Sequence, residues 1–146
     1  MRAVPLIAAA LLASGHATAA NPSAVFGIWW TPERDGVVEF TRCSAGLCGR
    51  VAGIVNFDAN GLPPRDLHGN SRCHLPLVSE GRLDEDGVWD SAILNPDNDK
   101  RYTVRLQVSD DGRLRMRGYV GLPMFGKTVY WTRFDRHLTA DCHIHD

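Results

Sequence analysis

The sequence predicts an all-β fold, a single up-and-down antiparallel β-barrel of about eight strands. Three observations point there. Apolar residues alternate along the chain with the period of half-buried strands. Clusters of turn-forming residues, "RDG", "SAG", "DANG", "DEDG", "PDND" and "SDDG", interrupt that alternation at short intervals. No long window repeats its apolar residues at helical spacing, so consecutive strands pair with one another, and the ribbon must close or stack to protect its edges.

The chain opens with MRAVPLIAAALLASGHATAA, in which one cation, Arg2, precedes an apolar run from Ala3 to Ala13 and the small residues Ala17, Thr18, Ala19 and Ala20. That is the pattern of a cleavable signal peptide over 1–20, which leaves 21–146 as the barrel domain and makes the protein periplasmic or secreted. The run is too short to span a bilayer, and no later stretch is long and apolar enough for a membrane helix. Alternation then marks strands near 25–31, 36–43, 47–55 and 88–94. In 102–108, Tyr102, Val104, Leu106 and Val108 share one face, and Thr103, Arg105 and Gln107 the other. After "SDDG", Leu114, Met116, Gly118 and Val120 oppose Arg113, Arg115, Arg117 and Tyr119, so the two segments form a hairpin with an Asp-Gly turn. A last strand covers 127–134. The Pro- and Gly-bearing stretch 58–76 reads as a long loop.

The stretch "VFGIWW" chooses between barrel and sandwich. Gly27 permits close backbone approach, and the Trp29 indole two residues on can fill the narrow end of a barrel, where a smaller side chain would leave a void. Arg133, at the end of the last strand, can lay its guanidinium on that ring and bond nearby carbonyls. A Gly-x-Trp on the first strand with an Arg late in the last resembles the structural signature of lipocalins and the wider calycin group.

A more specific likeness lies in "GIWWT", "VVEF", "LCGRV", "NPDNDKRYTVRL" and "RMRGYVGLPMFGKTVYWTR". In order and spacing these resemble the exported bacterial family known as domain of unknown function 2147, from about Phe26 to Arg133. The resemblance implies a small secreted or periplasmic domain and brings no catalytic residues with it. The middle, "GLPPRDLHGNSRCHLPL", departs from the family pattern, as does "PDND" where a Pro-acidic-Asp-Gly turn is expected.

Charge narrows the partners. The chain holds 16 Lys and Arg against 17 Asp and Glu, for a net charge of −1, so no global field draws it to nucleic acid or an anionic membrane. Small molecules or other proteins are the expected partners, and no cofactor is implied. The four cysteines, Cys43, Cys48, Cys73 and Cys142, favour disulfides in an oxidising compartment. Three pairings are possible. The tight turn "CSAGLC" favours Cys43 with Cys48, leaving Cys73 with Cys142, a bridge that would close a loop of about 70 residues and contribute on the order of 4 kcal/mol. No Cys-x-x-Cys suggests redox catalysis, and the terminal "CHIHD" reads as a solvated tail in preference to a metal cluster.

The candidate binding residues are the inward positions Tyr102, Val104, Leu106, Leu114, Met116 and Trp131, with Leu122, Met124 and Phe125 at a barrel mouth. Gly27, Trp29 and Arg133 are structural. Catalytic candidates are thin. His68, His74, Asp66 and Ser71 sit in the long loop, and strand phase does not bring Glu39, Asp58 and Asp90 together. The expected function is therefore an exported, non-enzymatic binding protein that holds a small apolar or amphipathic molecule, lipid-like in character. The other reading is an envelope interaction module that docks a protein through the outer arginine face or the 121–126 loop.

Overall fold

The protein is described from a computed structural model that covers residues 20–44, 46–119 and 126–145. The leader expected over 1–20 lies outside the described residues except for Ala20, and so do Val120, Leu122, Met124 and Phe125. A 3-10 turn, Pro22–Val25, leads into β1 (Gly27–Trp30), β2 (Gly36–Cys43), β3 (Gly46–Ile54) and β4 (Pro76–Leu83). There follow β5 (Trp89–Asn95), β6 (Lys100–Val108), β7 (Leu114–Tyr119) and β8 (Lys127–Arg133). Each strand pairs antiparallel with the next, and β1 pairs with β8, so the sheet is a closed barrel in chain order.

The seven strands read from alternation are all present. Alternation did not disclose β4, for a local reason. Glu80 adopts a φ of 59° and the register slips between Ser79 and Arg82. The bulge puts buried Val78 and buried Gly81 out of two-residue phase. Gly81 is required there, because a Cβ would stand 2.7 Å from Leu47 Cβ.

In an up-and-down barrel the β2–β3, β4–β5 and β6–β7 turns share one end with the N-terminal segment. The 3-10 turn crosses that end and closes it. Trp29 is fully buried, its Nε1 donates to Val25 O at 2.9 Å, and the Arg133 guanidinium lies 3.7 Å from the ring centroid. Arg133 also donates from Nη1 to Phe26 O and from Nη2 to Ala24 O, both at 2.9 Å. Gly27, at φ 122°, leaves the gap through which this guanidinium passes, since a Cβ would stand 2.6 Å from Nη1. Trp89 adds a second indole to the floor, bonded to Pro22 O at 2.9 Å and edge-on to Phe26.

Trp30 has the opposite fate. Alternation turns it outward, and the C-terminal tail covers it: Trp30, Val37, Ala52, Phe134 and Ile144 form a second apolar cluster outside the barrel. The tail docks beside β3 through Ile54 N to Cys142 O at 2.8 Å and Ile144 N to Ile54 O at 2.9 Å. The solvated tail expected from "CHIHD" is thus corrected, because Cys142 and Ile144 are buried. Gly53 lets the tail lie flat, since a Cβ there would come within 2.8 Å of Ile144 Cγ1.

Cys43 and Cys48 form the expected disulfide across the β2–β3 turn, with Cα atoms 5.9 Å apart. The second expected bridge is absent. Cys73 and Cys142 are free thiols, brought together by the fold, with Cys73 Sγ directed to Asp141 O at 3.9 Å.

Removing the floor has a defined cost. Trp29→Ala should destabilise the barrel by about 3–5 kcal/mol, the usual range for a buried large aromatic. Arg133→Ala should also destabilise, by stranding two carbonyls. Equilibrium urea unfolding checks both, and a loss under about 1 kcal/mol for Trp29→Ala would show that the indole is not the keystone.

Candidate ligand-binding cavity

The floor does not fill the barrel. Toward the floor Leu47, Leu106 and Leu114 are fully buried and share one apolar cluster with Trp29 and Trp89. Above it, toward the β1–β2, β3–β4 and β5–β6 connections, the interior opens into a cavity of about 810 Å³. Its walls take Val38 from β2, Val51 from β3, Leu77 from β4, Ile93 from β5, Val104 from β6 and Met116 from β7. Trp131 of β8 completes them.

Of the expected lining residues, Tyr102, Val104, Met116 and Trp131 border the cavity. Leu106 and Leu114 do not. They flank the β6–β7 turn, which lies at the closed end, so the same inward phase that puts Val104 in the cavity wall buries these two in the floor. Leu122, Met124 and Phe125 lie outside the described residues. The contributions of β2 to β5 were missed because the hairpin 102–120 carried the clearest alternation, whereas bulges at Val37/Val38 and within β4 blur the others.

Two features mark the cavity wall. Gly118 faces inward opposite Val104, and a Cβ placed there would meet nothing closer than Val104 Cγ1 at 3.6 Å. The Trp131 indole at the wall leaves its Nε1 buried without a hydrogen-bond partner among the described residues. A buried donor of this kind costs free energy until an acceptor or a water reaches it.

The rim is polar. Thr31, Glu33, Asp35, Asn95, Asp97, Arg72 and Lys127 border the opening. The β3–β4 loop reaches over it and is latched to the β5–β6 turn by Arg72 Nη1 to Asp97 Oδ1 at 2.7 Å and His68 Nε2 to Asp99 Oδ2 at 2.8 Å. Within the loop Asp66 caps a turn, accepting from His68 N at 2.9 Å and Asn70 N at 2.8 Å. Pro64 and Arg72 contribute to the cavity lining from this loop, while Leu62 and Leu67 are exposed.

The polar groups considered for catalysis are occupied separately. Ser71 Oγ accepts from Cys73 N, Glu39 is paired with Arg50, Asp58 caps Asn60 and Leu62, and Asp90 accepts from Arg105. None of these borders the cavity. Three arginines of the outer face are likewise engaged. Arg105 is held by Asp84 and by Asp90, Arg113 by Asp111 and the Tyr130 ring, and Arg117 donates to Thr128 Oγ1. Backbone donation from Val88, with Arg105 beside it, keeps the Asp84 carboxyl below its ordinary range. Carboxylates thus offset the charge of Arg105 and Arg113 on this face.

A closed antiparallel barrel, floored by a first-strand indole under a last-strand arginine and open to an apolar cavity at the other end, is a lipocalin-like fold. Protein HP1028 from Helicobacter pylori, described as belonging to the lipocalin family, has a similar structure, with a TM-score of 0.59 and 22% identity. The match covers 75% of this chain and 82% of that one. The chain belongs to the family described as uncharacterized protein conserved in bacteria, DUF2147, whose profile matches residues 27–133. No curated protein matches it.

The latch titrates. Hydrogen bonding to Asp99 raises the His68 pKa above its ordinary 6.5. Because the folded value is the higher one, the stabilisation of the latch is complete below pH 6.5 and is lost as the pH rises through the folded pKa. Amide hydrogen exchange across 58–75 should accelerate, beyond the intrinsic pH dependence, as the pH rises from 6 to 9. His68→Ala should abolish that excess, and an equal excess in the variant would exclude His68 as its source.

Proposed function

We propose that the protein is an exported binding protein that takes up a small apolar or amphipathic molecule through the open end of its barrel, without covalent chemistry. The observation that carries this reading is the cavity inside the barrel. A volume of about 810 Å³ falls within the usual range for small-molecule sites, about 300–1,000 Å³, and apolar walls below a polar rim match a molecule with a hydrophobic body and a polar end. Burial of that body is the driving force, at roughly 25 cal/mol per Å² of apolar surface removed from water. The polar end would meet Tyr102 and the charged rim. The lipocalin likeness supports the container reading at the level of the fold.

Export rests on the leader pattern of 1–20 and on the disulfide chemistry that an oxidising compartment permits. N-terminal sequencing of the protein recovered from its native cell should begin near residue 20 or 21. A chain that still starts at Met1 would refute export by this route.

Gly118 supplies the test of the cavity. Gly118→Leu places an isobutyl group in the open space without forcing the backbone, so it should keep the wild-type melting temperature and reduce binding of hydrophobic probes at least tenfold. Wild-type protein refolded from denaturant to strip carried-over molecules should gain stability with a long-chain fatty acid or a fluorescent hydrophobe, by about 2.7 kcal/mol at a hundredfold excess over Kd. Equal probe affinity in wild type and Gly118→Leu would remove the cavity as the site.

A further inference from the structure

A second constellation stands outside the barrel, where the end of the β3–β4 loop meets the C-terminal tail. Cys73, His74 and Cys142 each present a ligand atom there, and the three atoms lie within 4.8 Å of one another. We propose that these residues bind a thiophilic cation of the Zn²⁺ type through two sulfurs and one imidazole nitrogen, leaving a fourth position for water.

The donor set is chemically apt. Thiolate and imidazole are the preferred protein ligands of Zn²⁺, and two such sulfurs with one imidazole leave a tetrahedral ion one open position. Bonds of about 2.0–2.3 Å put ligand atoms of one tetrahedral ion roughly 3.5–3.8 Å apart, so the present spread closes with small side-chain rotations. Cys142 is buried, Cys73 half-buried and His74 exposed, which gives the ion a protein-lined inner side and an entry path from solvent.

The backbone is committed to this meeting. His74 and Cys142 both adopt left-handed conformations, with φ of 62° and 68°, which are unfavourable for residues that carry a Cβ. Main-chain bonds hold them in place: His74 N donates to Val51 O at 3.1 Å, and Ile54 N to Cys142 O at 2.8 Å. Both partners, Val51 and Ile54, belong to β3, so one strand aligns the loop cysteine and histidine with the tail cysteine. The nearest competitor is Arg50, whose Nη1 stands 3.2 Å from His74 Nδ1. Arg50 has a partner to retain when the imidazole turns to the ion, because Glu39 Oε2 accepts from its Nε at 3.1 Å and its Nη2 at 2.9 Å.

The experiment uses full-length processed protein, treated with a phosphine reductant that is then removed under anaerobic conditions. Titration with Zn²⁺ should show one equivalent bound, and Co²⁺ in its place should develop the intense near-ultraviolet band of thiolate-to-metal charge transfer. Cys73→Ser should weaken binding about a hundredfold or more, with the barrel intact by near-ultraviolet circular dichroism, and His74→Ala should weaken it by about tenfold or more. Cys142 is buried, so Cys142→Ser is read only if it folds, and Cys73→Ser otherwise carries the test. Cys43→Ser should bind as wild type. The proposal is overturned if reduced protein binds no Zn²⁺, if Cys73→Ser binds as tightly as wild type, or if, on admission of dioxygen as oxidant, Cys73 and Cys142 form a disulfide as fast with Zn²⁺ in excess as without it.

Discussion

The stack of the Arg133 guanidinium on the Trp29 indole is the constraint on which the rest of this barrel depends. The seam it closes is short. β1 has four residues, and its pairing with β8 consists of Trp29 opposite Arg133 and Trp30 opposite Thr132, extended by Phe134 N to Ile28 O at 2.9 Å. So few ladder bonds leave the register of closure weakly specified. The side chains specify it further. Only one register places the guanidinium over the ring and within 2.9 Å of two carbonyls of the entering chain. The N-terminal segment is fixed by the same contact, so closure of the sheet and closure of the lower mouth are one event.

That coupling decides where a ligand can go. Indoles and leucines pack the end that the N-terminal segment closes, and among the described residues the cavity lies toward the opposite end. The entrance is built differently from the floor. Its loop is tied down by exposed ion pairs, which solvent and salt screen, whereas the floor rests on buried rings. Opening of the β3–β4 loop therefore costs less than opening of the floor, and on the proposed function a bound molecule would exchange past that loop.

The strongly periodic parts of this fold were legible in the sequence, and so was the residue trio that closes it. Gly27, Trp29 and Arg133 could be read because each does a job that few residue types can do. The Cys43–Cys48 bridge could be read because a tight turn separates the pair. Bulged β4 could not, since Glu80 in a left-handed conformation breaks the period on which strand reading relies. Nor could the depth of each inward residue. Alternation tells which face Leu106 and Val104 occupy but not that one lies in the floor and the other beside empty space, because that depends on the end at which the N-terminal segment closes the barrel. The cluster of Cys73, His74 and Cys142 was equally hidden, being assembled by two separate alignments on β3.

The two tryptophans of "GIWW" show how adjacent identical residues acquire different work from pleat alone. Trp29 points in and carries the closure, whereas Trp30 points out and would be an exposed apolar surface if the chain ended at β8. The tail answers that exposure by laying Phe134 edge-on to Trp30 at 5.2 Å and Ile144 over Gly53. In doing so it brings Cys142 to the loop that also carries Arg72, the residue beside Cys73 that borders the cavity. The β3–β4 loop is consequently held from two sides, by ion pairs to the β5–β6 turn and by its contact with the tail. A change in the protonation of His68 acts on the first hold and a change at the cysteines on the second, so the mouth of the cavity stands where both would be felt.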